Sequence, residues 1–132
     1  MGASFEVYND LGFGLLTPLY QEALERELAS RGLDFEKKCP LEVMFKDEPL
    51  SQSYIADLIV TEYVLAEVRS VRDLLPEHEA ETLNHMRIAR LPLGYLINFG
   101  RPGGVQWKRF TFDEFLPGAD DESDDDDESA ED

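Results

Sequence analysis

The stretch ADLIVTEYVLAEVRS, residues 56–70, decides the fold because it joins two strand-like apolar runs that contain acidic side chains. Asp57 interrupts the first run, and Glu67 lies inside the second, with Arg69 two positions later. Runs this apolar usually form the middle of a sheet, where a carboxylate is rarely buried without a partner. The stretch therefore predicts either a partnered structural acid or a functional site on two neighbouring strands.

The turn between the two strands determines whether the two acids face each other. If residues 61–63 form the loop, Val60 pairs with Val64 and Asp57 stands opposite Glu67, with Cβ atoms about 5 Å apart. A loop one residue shorter would place the two acids on opposite faces of the sheet. Facing carboxylates repel unless a cation lies between them, and Mg²⁺, which takes oxygen ligands, is a common solution.

A simpler interpretation of these residues is structural. Arg69 shares a strand face with Glu67 because strand side chains alternate, so the two can form a surface ion pair on an edge strand. Asp57 alone can accept a hydrogen bond from a backbone N–H group at a strand end. Beside a metal ion, in contrast, a base such as Arg69 can orient an attacking water or stabilise a charged transition state. The D-x9-E-x-R spacing does not separate these alternatives.

The remaining sequence alternates between helical and strand patterns. Helical patterns occupy residues 5–31, in two pieces on either side of Gly12-Phe-Gly14, and residues 74–89. Strand patterns occupy residues 35–46, 53–60, 63–71, 91–99 and 105–112. The order α-β-β-β-α-β, with one further strand, predicts an α/β (or α+β) domain. We expect a mixed sheet of about four to five strands with flanking helices.

The later helix carries both histidines of the chain. His78, Glu81 and His85 follow i, i+3 and i+7 spacing on one helix face, which metal sites can use. Such spacing is more often a polar face with one member pointing into a cleft, and Glu81 and His85 form an ordinary i,i+4 pair. The spacing alone therefore predicts a polar helix face and leaves a zinc site as the lesser alternative.

The charge of the chain is acidic and unevenly distributed. The net charge is -17 over 132 residues, and residues 118–132 hold ten acids and no base. We predict that this segment is a disordered acidic tail, because like charges repel and it has almost nothing to bury. Residues 1–117 are predicted to form one domain. The acidic balance disfavours non-specific binding to nucleic acid, which depends on Lys and Arg.

The composition also bears on location and partners. A single cysteine, Cys39, excludes an intrachain disulfide and fits a reducing compartment. Residues 1–10 lack the basic and apolar regions of a signal peptide, and no apolar run is long enough to span a bilayer. We therefore predict a soluble, cytoplasmic protein with no membrane partner. A basic protein is the partner that the acidic tail would suit.

Five segments in the order and spacing of a known family extend this interpretation. They run from about residue 5 to residue 112 and read VYNDLGFGLLTPLYQEALERELASRGL, SYIADLIV, YVLAEVRSV, HEAETLNHM and LPLGYLINFG, with KR after the last. The chain resembles a divergent member of the GxxExxY family, which is assigned to the PD-(D/E)XK nuclease superfamily. The resemblance implies a restriction-endonuclease-like core, a Mg²⁺- or Mn²⁺-dependent phosphodiesterase activity, a nucleic-acid substrate and a tendency to form homodimers.

Several site residues of the family are retained. Asp57 matches its strand Asp and Glu67 matches the Glu of its ExK motif, and the resemblance implies that these two would hold the metal ion. Gly14 and Tyr20 retain the ends of the GxxExxY motif. His78 is retained next to the family's second-helix position, so the resemblance places Tyr20 and His78 near the site.

Three other family positions differ in chemistry. Thr17 replaces the Glu of the motif and cannot supply a negatively charged ligand. Arg69 replaces the Lys of ExK and keeps its charge, but Arg is effectively never deprotonated and cannot accept a proton. Glu81 replaces a Gln of the second helix and adds a carboxylate, which would either substitute for the lost acid or repel the scissile phosphate.

Two functions remain open from the sequence. In the first, nuclease activity is impaired or lost and the protein acts as a binding or regulatory module; the three departures and the acidic body favour this interpretation. In the second, an active Mg²⁺-dependent endo- or exonuclease has a rearranged site. Asp57, Glu67 and Glu81 would bind its metal and Arg69 would stabilise phosphate charge. The retained pair of acids favours the second interpretation.

Overall fold

A computed structural model describes residues 1–118 of the chain. Its helices and strands are α1 (Gly2–Leu11), α2 (Thr17–Ser30), β1 (Phe35–Phe45), β2 (Glu48–Val60), β3 (Val64–Arg69), α3 (Pro76–Ala89), β4 (Leu93–Asn98) and β5 (Gln106–Thr111), followed by a 3-10 turn at Asp113–Phe115. The predicted acidic tail, apart from Gly118, lies outside the described residues. Within those residues, none of the helices has the length and apolar character needed to cross a membrane.

The five strands form one mixed sheet in the order β1-β2-β3-β4-β5. β3 and β4 run parallel, and the other neighbouring pairs are antiparallel. A parallel pair needs a crossover connection, and α3 supplies it. The α/β fold class, the element order and the strand number agree with the prediction, and the arrangement is consistent with a restriction-endonuclease-like core.

Helices cover both faces of the sheet. Side chains of α1 and α2, among them Val7, Tyr20 and Leu24, pack on one face, while Met86 of α3 packs on the other. Along β3 the side chains alternate, so that Ala66 and Val68 face α1 and α2 while Leu65 faces α3. The same alternation places Glu67 and Arg69 on the α3 face of a central strand.

The hairpin between β2 and β3 has the longer of the two loops that the sequence left open, residues 61–63. Val60 pairs with Val64, and the next two pairs along the strands follow in step. The loop uses the left-handed backbone region, with φ of 52° at Thr61 and 75° at Glu62. The pairing ends at Leu58 and Ala66, and Asp57 and Glu67 are the next residues along the two strands.

One strand boundary differs clearly from the prediction. β2 begins at Glu48 and not at residue 53, because Phe45 pairs with Glu48 across a tight turn at Lys46 and Asp47. Residues 48–52 lack the apolar alternation of a half-buried strand, since they extend beyond the helices and are exposed. Pairing with β1 makes them a strand, and a pattern within one segment cannot show that pairing.

Candidate active site

Arg69 is the centre of a cluster formed with Asp57, Glu67 and Glu81, called here the acid–arginine cluster. Its Nη1 lies 3.3 Å from Oδ2 of Asp57. Its Nη2 lies 2.6 Å from Oε1 of Glu81 and 3.5 Å from Oε1 of Glu67. The acids come from β2, α3 and β3, so the fold brings together four predicted site residues from three elements.

Asp57 is tied to the main chain as well as to Arg69. Its Oδ2 accepts a hydrogen bond of 2.8 Å from the backbone N–H of Val68. Its Oδ1 lies 3.9 Å from Nζ of Lys38, and its side chain is 19% exposed. The backbone hydrogen bond that the sequence suggested for a structural Asp57 is therefore present, together with contacts to two cations.

Glu67 is a buried carboxylate on a central strand. Its side chain is 1% exposed, so the expectation of a surface ion pair on an edge strand is wrong. Its Oε2 accepts a long hydrogen bond of 3.4 Å from the backbone N–H of Asp57. Its Oε1 lies 3.0 Å from Nδ1 of His85, a closer nitrogen than that of Arg69. A carboxylate removed from water needs such cationic partners, because an unpaired buried charge is strongly destabilising.

His85 is a member of the site whose role the sequence did not predict. It is 3% exposed, and its ring packs against Tyr54 with centroids 4.7 Å apart. Nδ1 is within ion-pair distance of Glu67 but is not aligned for a hydrogen bond, and Nε2 has no partner among residues 1–118. Burial alone would lower the pKa of His85, but the neighbouring carboxylates of Glu67 and Glu81 outweigh it and raise this pKa.

The charge of Arg69 is fixed by its surroundings. Burial alone would lower its pKa, but the hydrogen bond to Glu81 and the charges of Glu67, Glu81 and Asp57 raise it further. Its Nη1 also donates a 2.8 Å hydrogen bond to the carbonyl oxygen of Val68. Arg69 is therefore a permanent cation, held in place from several sides.

Two of the three polar residues of the α3 face, Glu81 and His85, contact the cluster, and the third, His78, does not. His78 lies at the start of the helix, where its Nδ1 accepts a 2.8 Å hydrogen bond from the backbone N–H of Leu75. Glu81 contacts Arg69 and His85 contacts Glu67. The i, i+3, i+7 spacing thus reflects a helix start and two contacts with the sheet, and His78 is not part of the acid–arginine cluster.

Tyr20 has a structural role in the neighbouring loop. It is buried and its ring stacks on Phe99, with centroids 4.5 Å apart. Its hydroxyl donates a 2.7 Å hydrogen bond to the carbonyl oxygen of Gly12 and accepts one of 3.1 Å from the backbone N–H of Leu15. Tyr20 therefore fixes the loop between α1 and α2 and does not contact the cluster.

Thr17, at the position of the missing family Glu, also lies apart from the cluster. It is the first residue of α2 and lines an open cleft together with Ser70 and Gly100. Within residues 1–118 its hydroxyl makes no hydrogen bond to any cluster residue. Thr17 itself therefore supplies no negative charge where the family motif would bring one.

Gln21, one turn after Thr17, connects α2 to the site in a different way. Its Nε2 donates 3.0 Å hydrogen bonds to the carbonyl oxygen of Asp57 and to Oε2 of Glu25. Its Oε1 is buried without a partner among residues 1–118. The sequence signal that could have indicated Gln21 is its i+4 spacing from Thr17, which places both residues on the same face of α2.

The donors present do not fit a divalent metal ion. Mg²⁺ requires a nearly octahedral set of oxygen ligands at about 2.0–2.1 Å. Oδ2 of Asp57 instead accepts from the N–H groups of Val68 and Arg69, and Oε1 of Glu67 lies close to nitrogens of Arg69 and His85. Residues 1–118 contain no group of three His, Cys, Asp or Glu side chains arranged to hold a metal.

Comparison with known proteins identifies the family but no individual relative. A model of the PD-(D/E)XK nuclease superfamily matches residues 1–110, which include the whole acid–arginine cluster. Neither the curated proteins nor the solved structures with which the chain was compared give a significant match.

Proposed function

The chain belongs to the PD-(D/E)XK nuclease superfamily, and we propose that it is a nuclease-like protein of the GxxExxY type whose phosphodiester cleavage is impaired or lost. One observation carries this proposal. Arg69, at the position of the family Lys, forms ion pairs with three carboxylates, and its side chain is only 20% exposed. A residue in this state cannot perform the role that the resemblance assigns to the Lys.

The chemistry of hydrolysis explains why this matters. A water molecule that attacks phosphorus must be oriented and must lose a proton to a base. Arg69 cannot accept that proton, since its pKa is raised beyond an already high value. Its donors are also engaged, with Glu81 at 2.6 Å and the Val68 carbonyl at 2.8 Å. Orienting a water would require breaking these contacts.

The other two departures from the family act in the same direction. Thr17 brings a neutral hydroxyl to the start of α2 where the family has a carboxylate. Glu81 places a negative charge 2.6 Å from Arg69, where the family has a neutral amide. This charge neutralises the guanidinium that would otherwise attract a phosphate, and like charges repel at short range. Both changes weaken catalysis.

A binding or regulatory role is the function that these changes leave. Superfamily membership points to nucleic acid as a ligand, although a net charge of -17 opposes it. A basic protein that binds the acidic tail, a homodimer and a cytoplasmic location remain predictions from the sequence. The structure of residues 1–118 supports the proposal through the state of the site and leaves these partners as hypotheses.

One observation favours a second candidate, an active Mg²⁺-dependent phosphodiesterase. Asp57 and Glu67 lie on adjacent strands and both contact Arg69, so their carboxylates are close together, as a metal-binding pair would require. In this alternative Asp57, Glu67 and Glu81 hold the ion and Arg69 stabilises phosphate charge, so Arg69 would have to leave its present contacts.

A cleavage assay separates the two candidates. Full-length wild type, D57N and E81Q are incubated with single-stranded DNA, duplex DNA and RNA in the presence of Mg²⁺ or Mn²⁺. We expect no cleavage by wild type above the level of D57N. Cleavage by wild type that D57N abolishes would contradict the proposal, and a parallel loss in E81Q would support the rearranged active site.

A further inference from the structure

We propose that the Arg69 guanidinium is the resident cation of the site, occupying the position between the carboxylates where nucleases of this superfamily hold a divalent metal ion. The native protein would then keep its acids paired without binding a metal there. This inference rests on the proposed function and deepens it, because it states what replaces the metal and predicts how a metal site can be recovered.

The first argument is that one cation contacts all three acids. The two terminal nitrogens of Arg69 approach Asp57 at 3.3 Å, Glu81 at 2.6 Å and Glu67 at 3.5 Å. These contacts join β2, β3 and α3 at a single point. A metal ion held by Asp57 and Glu67 would lie close to the guanidinium, and two cations at that separation repel, so the metal can enter only if the guanidinium leaves.

The second argument is that Asp57 and Glu67 have further nitrogen partners besides Arg69. Asp57 Oδ2 accepts from the Val68 N–H at 2.8 Å, and Glu67 Oε1 lies 3.0 Å from His85 Nδ1. Asp57 Oδ1 faces Lys38 at 3.9 Å. Three acids thus face three nitrogen-bearing side chains, those of Arg69, Lys38 and His85. Arg69 and Lys38 carry two positive charges, and the imidazole of His85 adds a third when it is protonated.

The third argument is that Arg69 is fixed in position. Its side chain is 20% exposed, and Nη1 donates 2.8 Å to the carbonyl of Val68 in addition to its ion pairs. Removing the guanidinium would leave Glu67, 1% exposed, with only His85 and a long hydrogen bond from the Asp57 N–H. Breaking a buried ion pair by removing one partner is strongly destabilising, because it leaves a buried charge uncompensated. A metal must overcome this cost before it gains a ligand.

The test is metal binding by the intact protein. Mn²⁺ and Mg²⁺ are titrated by calorimetry into full-length wild type, R69M and R26M, each with and without the additional change D57N. The side chain of Arg26 is 80% exposed and pairs with Glu22 on the surface. R26M therefore removes the same charge as R69M but leaves the cluster intact. Each protein and its D57N counterpart bind the same amount of metal at other acidic residues. The difference between the two therefore measures binding at the cluster.

We expect no binding that depends on Asp57 in wild type or R26M, and such binding to appear in R69M together with a metal-dependent rise in its unfolding temperature. Asp57-dependent binding by wild type would overturn the inference, and this result does not require R69M to fold. A folded R69M without such binding would also overturn it; R69Q provides a second test if R69M is unfolded.

A failure of this inference can be distinguished from a failure of the proposed function. Wild type that binds a metal through Asp57 but cleaves nothing would refute the resident cation and leave the loss of cleavage standing. Wild type that cleaves without binding a metal there would refute the proposed function and leave the resident cation standing.

Discussion

The imidazole of His85 lies 3.0 Å from Glu67 in a region that is nearly closed to water. Burial opposes its protonated form, but the two neighbouring carboxylates outweigh burial and raise its pKa above the usual 6.5. In the unfolded chain the pKa returns to about 6.5. Above that value the folded protein binds a proton that the unfolded chain has released. The contribution of His85 to the stability of the protein is therefore fully present below the unfolded pKa and is lost as the pH rises through the folded pKa.

This linkage predicts a stability profile that depends on one residue. The free energy of unfolding of wild type, measured by urea titration over a pH series, should fall as the pH is raised from below 6.5 through the higher folded pKa of His85. In H85N the same pH range should show a flatter profile, because the coupled group is missing. A wild-type profile parallel to that of H85N would refute the coupling between His85 and Glu67.

Individual site residues differ in how visible they are in the sequence. Asp57, Glu67 and Arg69 stand out because they interrupt apolar strands, and strand alternation gives their common face. His85 does not stand out, since a helix face shows which residues align but not which side touches the sheet. The position of its Nδ1 beside Glu67 results from the packing of α3 on β3. Local sequence patterns do not encode such a contact between distant segments.

At the level of secondary-structure elements, Asn98 ties the end of β4 to two neighbouring segments. Its Oδ1 accepts 2.9 Å hydrogen bonds from the backbone N–H groups of Val71 and Gly100. Its Nδ2 donates 2.9 Å hydrogen bonds to the carbonyl of Val71 and to Oε1 of Gln106. The side chain is fully buried. It therefore fixes the loop after β3, which follows directly on Arg69.

We predict that N98A lowers the free energy of unfolding by about 2–4 kcal/mol, because half-buried backbone groups of Val71 and Gly100 lose their partners and an unsatisfied buried group costs about 1–3 kcal/mol. Q106A, which removes one acceptor of Asn98 and the partner of the Leu74 N–H, should cost less. Urea unfolding of both variants provides the comparison. Equal stability of N98A and wild type would show that these hydrogen bonds contribute nothing net.

The elements themselves were largely predictable, and the exceptions have physical causes. The β2–β3 hairpin was predicted as two adjacent strands, but its register was left open, because the two apolar runs fit a loop of two or of three residues. The start of β2 was missed because residues 48–52 gain their strand structure from pairing with β1 and are exposed. The burial of β4 on both faces followed from its nearly continuous apolar sequence.

At the scale of the whole molecule, charge is the dominant property. Ten of the 29 acids lie beyond residue 118, and without them the net charge would be -7 in place of -17. We predict that a full-length variant with these ten acids replaced by Asn and Gln binds a fluorescent single-stranded oligonucleotide more tightly than wild type. Weaker electrostatic repulsion is the reason, and added salt should reduce the difference because it screens that repulsion.

Fluorescence anisotropy at several salt concentrations measures this effect. Keeping the chain length constant excludes a contribution from truncation. Equal affinity of the two proteins at low salt would refute the idea that the acidic segment opposes nucleic acid. The domain boundary at residue 117 and the disorder of the tail remain predictions, since composition suggests them and the described residues end at 118.

A crystal structure of the full-length protein grown in Mn²⁺, with anomalous diffraction data, tests the central claim most directly. The account predicts electron density for the Arg69 guanidinium between Asp57, Glu67 and Glu81, and no anomalous peak at that position. An anomalous peak bound by Asp57 and Glu67, with Arg69 turned away from both, would contradict it.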